Sequence, residues 1–144
     1  MKQTTIHLAS DHAGYLLKRH VINFLQKEGY SVVDHGTDSE QSVDYPDYAH
    51  KLAKNIDEQT FGIAICGSGI GISIALNRHS NVRAALCWNE TMATLSRQHN
   101  NANVCVLSGR FLSLTDAEKI VTAFLTSSFE GGRHQNRIDK INPK

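Results

Sequence analysis

The chain has 144 residues, 40% hydrophobic and 20% charged, with a formal net charge of +1. That suits one domain with a core of its own and provides no global field to recruit nucleic acid or membrane. Its three cysteines, Cys66, Cys87 and Cys105, are an odd number set in apolar runs, which fits reduced thiols better than a disulfide framework. No stretch approaches a membrane span or the apolar core of a signal peptide, and a cytoplasmic location is the expectation.

In chain order, residues 5–9 read as a short first strand leading into Ser10-Asp-His-Ala-Gly14. Leu17, Val21, Phe24 and Leu25 recur at helical spacing over 15–28, and Gly29 supplies the stop. A second strand is predicted at 31–34, then a polar loop at 35–46 and a helix over 47–55 after Pro46. Phe61-Gly-Ile-Ala-Ile65 is apolar and β-branched, as a strand buried on both faces is. Three glycines follow at alternate positions, Gly67, Gly69 and Gly71, and a helix-compatible run starts at Ile72. Residues 82–88 predict a fourth strand, 91–99 a helix with Met92, Ala93 and Leu95 inward, and 104–107 a fifth strand. Ala117, Ile120, Val121, Phe124 and Leu125 mark the buried face of the next helix. Thr115 with Glu118 matches a capping box there, and Ser113 with Asp116 serves in the same way. Glu130-Gly-Gly-Arg133 breaks the chain before a basic helical segment over 133–141. Alternating strands and helices predict a five-stranded parallel sheet covered on both faces. This is a three-layer α/β/α domain of Rossmann-like type over residues 1–144.

Such sheets bind ligands beyond the carboxyl ends of their strands. The rule gathers Asp11 and His12, residues 66–71, Asn89 and Glu90, and residues 108–110 on one rim. At its centre Cys66 directly precedes the glycine turn. Strand, glycine turn and helix together aim bare backbone N–H groups at an anion. Cys66 is therefore a candidate base beside a cradle for negative oxygen; the bland reading is a tight βα turn with a small buried thiol. The pattern G-x-G-x-x-G is not met, because its third glycine falls at Ile72, and no Gly-Lys-Ser/Thr marks a P-loop. Neither H-E-x-x-H nor C-x-x-C occurs, so no metal site is expected.

Six stretches carry a more specific signal: Ser10-Asp-His-Ala-Gly14, Asp44-Tyr-Pro46, Ile65-Cys-Gly-Ser-Gly-Ile-Gly-Ile-Ser-Ile74, Leu95-Ser-Arg-Gln-His-Asn100, Gly109-Arg110 and Glu130-Gly-Gly-Arg-His-Gln-Asn-Arg137. In this order, over nearly the whole chain, they resemble the ribose-5-phosphate isomerase type B family, which shares its fold with galactose-6-phosphate isomerase subunits. The resemblance implies an aldose–ketose isomerase that interconverts ribose 5-phosphate and ribulose 5-phosphate. The route is ring opening and a cis-enediolate, with neither metal nor cofactor. It implies Cys66 as the base, since Ile72 stands where one branch of the family carries a glutamate. It implies His99 as the ring-opening acid, with Asp11 its polar counterpart at the anomeric hydroxyl; the ordinary alternative for His99 is a helix-end residue favoured by the dipole.

Amides of Gly67, Ser68, Gly69, Ile70 and Gly71 would meet the developing negative oxygens, and side chains at the three glycines would crowd the substrate. Ser68 keeps a hydroxyl where many relatives have threonine. Arg110, Arg133 and Arg137, with His12, would grip the phosphate in two-point fashion; otherwise the last two belong to a solvated basic tail with Lys140 and Lys144. Asn100 joins His99, and Tyr45 packs near the sugar. His7, His20, His35, His50 and His79 have no such support and read as structural or surface residues.

The resemblance also implies a homodimer or a dimer of dimers with sites at the interface. Cys66 and the glycine turn would come from one chain, and His99, Asn100 and Arg110 from the other. Allose 6-phosphate or galactose 6-phosphate would suit the same machinery, because an extra hydroxymethylene changes pocket length and not chemistry. Two other classes are weighed. A nicotinamide-dependent oxidoreductase with Glu90 on the ribose is disfavoured by Ile72. A non-catalytic sugar-phosphate or nucleotide sensor is disfavoured by Cys66 and His99 sharing a rim.

Overall fold

In β3 (Thr60–Cys66) the side chains alternate between two dry faces, Ile63 and Ile65 entering one apolar core and Ala64 and Cys66 the other. A strand buried on both sides belongs in the middle of a parallel sheet. In the structure, a computed structural model that describes residues 4–144, β3 pairs in parallel with β1 (Thr5–Ser10) and with β5 (Val104–Ser108). The edges are β2 (Ser31–Asp34) and the three-residue β4 (Ala84–Leu86), giving the order β2-β1-β3-β5-β4. On the Ile63 face pack α1 (Tyr15–Lys27), α4 (Glu90–Asn100) and α5 (Leu114–Thr126). On the Cys66 face pack α2 (Tyr45–Ala53) and α3 (Ile70–Leu76). The short α6 (Arg133–Ile138) lies against α4. This is the expected three-layer α/β/α arrangement with five parallel strands. Among the described residues no helix is long and apolar enough to cross a membrane.

Several boundaries move, each for a local reason. The second helix begins at Tyr45 and not at 47: Asp44 is extended, and Pro46 sits in the first turn, where its missing N–H leaves no bond unmade. The fourth strand shrinks to 84–86 because it is an edge with β5 as its single partner. Met92, expected inward, is exposed, while Ala93 and Ser96 face the core. The α5 cap is Ser113, whose Oγ accepts from Asp116 N at 3.1 Å, and not Thr115. The last helix stops at Ile138, leaving Ile141 exposed.

One buried charge is invisible to periodicity. Lys18, on α1, is fully buried; its Nζ donates to Asp34 Oδ1 and, at 2.8 Å, to the Thr37 carbonyl. The contact ties α1 to the end of β2 and to the loop that Ser10 holds through paired backbone bonds with Gly36 and Thr37, both 2.8 Å. Only the lysine side of the pair is buried, and removing Asp34 strands its charge. Asp34→Ala is expected to cost about 1–3 kcal/mol, less than breaking a fully buried pair, because the Asp34 side chain is 44% exposed and the Thr37 carbonyl stays in place. The check is the urea midpoint, and an unshifted midpoint would show that Lys18 does not depend on Asp34.

Candidate active site

The chain leaves β1 toward one edge of the sheet and β3 toward the other, so the winding reverses between these two neighbours. The crevice at their carboxyl ends is where a doubly wound sheet takes its ligand. Asp11 follows β1 there and Cys66 ends β3. Asp11 is buried and fixed: its Oδ1 accepts from Ala13 N at 3.0 Å and Gly14 N at 3.2 Å, capping the single 3-10 turn His12–Gly14. His12 is oriented from the loop before α2, Val43 N donating to its Nδ1 at 3.2 Å. A ring nitrogen that accepts a backbone N–H carries no proton, so neutral His12 offers its own N–H at Nε2.

Around Cys66 the ends of β3 and β5 are stitched together. Gly109 N donates to Cys66 O at 2.8 Å, Arg110 N to Gly67 O at 3.1 Å, and Ser108 Oγ to the same carbonyl at 2.7 Å. The Arg110 side chain lies over Gly67, where a Cβ would stand 3.5 Å from Cδ, Nε and Nη1. The other two glycines are required by the protein's own packing. Gly69 has φ +81° and a Cβ on it would strike Leu86 at 2.5 Å, while one on Gly71 would strike the Tyr45 ring at 2.6 Å. The cradle is also smaller than expected. The Ile70 amide donates to Ser68 Oγ at 3.1 Å and is not free for an anion. Ser68 thus shapes the turn through its hydroxyl, and Tyr45 closes the turn's flank against Gly71.

His99 and Asn100 stand elsewhere. Like every crossover helix between parallel strands, α4 runs back along the sheet, so its last turn arrives where β5 begins. Just beyond it, Asn103 O accepts from Gly62 N at 2.9 Å, and Arg97 lies 4.7 Å over the Phe61 ring, both at the start of β3. Cys66 is about 16 Å further along that strand, at about 3.3 Å per residue. Within one chain Cys66 and His99 therefore do not share a rim, contrary to the expectation of a common rim, although the resemblance also implied that the two come from different chains. The direction of a crossover helix was a sufficient signal, because a residue at a helix end is a strand length from the carboxyl edge.

At this amino end His99, Asn100, His134, Arg137, Ile138 and Ile141 line a cleft of about 320 Å³. Arg133 and Arg137 are exposed on α6, and Arg133 is not among the lining residues. Arg110 is a second correction. Expected with His99 and Asn100, it packs on Gly67 of its own chain, beside Cys66. A wider cavity of about 750 Å³ lies on the other flank of α6, lined by Arg83 and Arg97 and by Asp57, Glu58 and Asp139 among others. Its cations are outnumbered by carboxylates, so it is no phosphate site. The remaining histidines pair in neither half: His7 Nδ1 with His35 Nε2 at 2.8 Å, His50 Nδ1 with His79 Nε2 at 2.7 Å, and His20 with Glu118. Burial moves His7, His35 and His79 below the usual histidine range. Two residues beside His99 went unassigned in the sequence, Glu130 and His134. Their four-residue spacing within the last motif was the available signal.

A thiol, a fixed carboxylate and an arginine over a glycine turn at a sheet's switch point define an α/β enzyme that holds a small anionic substrate. Residues 6–141 match the family model described as Ribose/Galactose Isomerase, and the chain belongs to that family. It is 43% identical to ribose-5-phosphate isomerase B of Escherichia coli strain K12, with 94% of this chain and 93% of that protein covered. The crystal structure of a ribose 5-phosphate isomerase from Thermotoga maritima superposes with a TM-score of 0.94 at 53% identity, covering 96% of this chain and 97% of that one. Ribose-5-phosphate isomerase B from Mycoplasma genitalium, solved with bound ribulose-5-phosphate, gives 0.92 at 45% identity, covering 95% and 93%.

Proposed function

We propose that the protein interconverts ribose 5-phosphate and ribulose 5-phosphate, in a site that two copies of the chain build together. The observation that carries this reading is the placement of Cys66 beside the glycine turn at the β1–β3 switch point. Family membership over almost the whole chain and the ribulose-5-phosphate bound by the Mycoplasma relative support the substrate. One copy supplies Cys66, the turn, Asp11, His12, Tyr45 and Arg110. The other supplies His99, Asn100, Arg133 and Arg137. The distance between these two sets within one chain supports a homodimer or a dimer of dimers, since a two-fold interface that lends residues also receives them.

His99 gives a proton to the ring oxygen of the furanose while Asp11 takes that of the anomeric hydroxyl, leaving the open aldehyde. Cys66 then removes the proton on C2. The electron pair moves into the C1–C2 bond and the negative charge onto O1, giving a cis-enediolate; the O2 proton then passes to O1, C2=O2 forms, and the proton held by Cys66 is returned to C1. Turn amides other than that of Ile70 face the charged oxygens. His12 Nε2–H and the guanidinium groups hold the phosphate, which fixes C2 over the thiol. No step uses a metal. The reaction belongs to the pentose phosphate pathway, and three free buried cysteines suit a reducing cytoplasm.

The deciding experiment compares kcat/KM for ribose 5-phosphate, allose 6-phosphate and galactose 6-phosphate with a chelator present. Ribose 5-phosphate is expected to lead, and a hexose phosphate in first place would overturn the substrate. The acid role of His99 has its own test. His99→Asn is expected to lower kcat for ribose 5-phosphate by about 10²-fold or more, and to lower that for ribulose 5-phosphate far less. The ketose, with its phosphate on C5, cannot close into a furanose and enters without ring opening. Equal losses at saturation in both directions would place His99 in enediolate proton transfer instead.

A further inference from the structure

Glu130 and His134 have no task in this mechanism, yet both press on His99. Glu130 is anchored by its own amide, which donates to Gln98 O at 3.0 Å on α4. Gly131 and Gly132 follow with φ +69° and +58°, a reversal that brings the start of α6 back over the end of α4. His134 thereby stacks on His99, the ring centroids 4.4 Å apart and the planes 15° from parallel. Glu130 Oε1 stands 3.8 Å from His99 Nε2 and 3.7 Å from His134 Nε2. All three donor atoms lie within 4.8 Å of one another. These separations are too long for hydrogen bonds, so the atoms converge on a shared gap without filling it.

Two imidazoles and one carboxylate are the donor set of open zinc sites, with bonds of about 2.0–2.1 Å that put tetrahedral ligand atoms about 3.3 Å apart. To meet that geometry Glu130 has to close by about half an ångström and one imidazole has to turn out of the stack, because lone pairs lying in near-parallel ring planes do not meet at one ion. The mixed nitrogen and oxygen set selects a borderline transition metal over magnesium or calcium, which prefer oxygen alone. In the single chain the His99 side chain is 42% exposed, on the face that the Cys66 half of a second copy would meet. Among the described residues it is the one cluster of three or more such ligands. The His7–His35 and His50–His79 pairs offer two rings each, already hydrogen-bonded to one another.

We propose that His99, Glu130 and His134 form a divalent transition-metal site, with Zn²⁺ as its occupant, and that filling it switches isomerisation off. Coordination takes the Nε2 lone pair of His99, and with it the proton that opens the ring. The binding site stands on geometry alone; its effect on rate rests on the reading of His99 as the ring-opening acid.

The test has a binding arm and an activity arm. Zinc chloride is titrated by calorimetry into Cys66→Ala protein, so that this thiol does not compete, and into the same protein carrying Glu130→Gln or His134→Gln. One zinc per chain is expected, with affinity at least tenfold weaker in each double variant. Equal binding in all three proteins, or no binding at micromolar zinc, overturns the site. In the activity arm, zinc is expected to inhibit ribose 5-phosphate turnover by the wild-type enzyme reversibly, with a chelator restoring the rate. Glu130→Gln, measured against its own zinc-free rate, should need at least tenfold more zinc. Zinc bound at the three residues with turnover intact overturns the switch and the acid role of His99 while leaving the site standing. Absence of binding leaves that role to the two-direction assay of His99→Asn.

Discussion

Cys66→Ala is expected to lower kcat for ribose 5-phosphate by about 10²–10⁴-fold and to leave KM nearly unchanged, because a base acts in the transition state and adds little to ground-state binding. The substitution removes one sulfur from a site buried to 4% exposure between Ala64, Ile72 and their neighbours. Its urea midpoint should therefore fall only slightly, and loss of rate cannot be charged to unfolding. A variant that keeps most of the wild-type rate would place the base elsewhere. Alkylation gives an independent check. Cys87 and Cys105 are more deeply buried than Cys66, at 1% and 0% exposure. The hydrogen bond to Cys87, together with full burial, also pushes the Cys105 thiol up, away from the reactive thiolate. Iodoacetate should inactivate the enzyme with the label on Cys66, and ribulose 5-phosphate should protect it. Inactivation with the label on Cys87 or Cys105 would count against Cys66.

What the sequence disclosed here was local. The buried run of β3, the glycine turn after it and the apolar face of α5 each lie within a few residues, so short-range pattern and propensity are enough to read them. The sheet and its two helical layers follow from simple alternation. Lys18 was not legible, because its partners Asp34 and Thr37 are 16 and 19 residues away and nothing in α1 announces a buried charge. The packing reason for two of the glycines was not legible for a similar cause. Leu86 and Tyr45, which crowd Gly69 and Gly71, come from other strands and helices. The packing of Arg110 beside Cys66 in its own chain was not legible, because its neighbour in sequence, Gly109, gives no sign of being bonded to Cys66. The split between Cys66 and His99 was implied by the resemblance alone, although the return direction of α4 also places its last turn at the amino edge.

That split makes a mixing experiment decisive. Inactive Cys66→Ala protein and inactive His99→Asn protein, unfolded together and refolded, are expected to regain ribose 5-phosphate turnover. In a mixed dimer one shared site carries both lesions and the other carries neither. With random pairing half the dimers are mixed, so activity should approach about a quarter of wild type. Arg110 sharpens the test, because its side chain lies on Gly67 beside Cys66 in the same chain. Arg110→Ala mixed with His99→Asn should recover in the same way. Mixed with Cys66→Ala it should recover nothing, since both lesions then fall in the same half and every site keeps one of them. Native mass spectrometry establishes that mixed dimers have formed. Given those dimers, no recovery in the first pair would show that each site lies within one chain. Recovery on mixing Arg110→Ala with Cys66→Ala would instead move Arg110 to the half that holds His99.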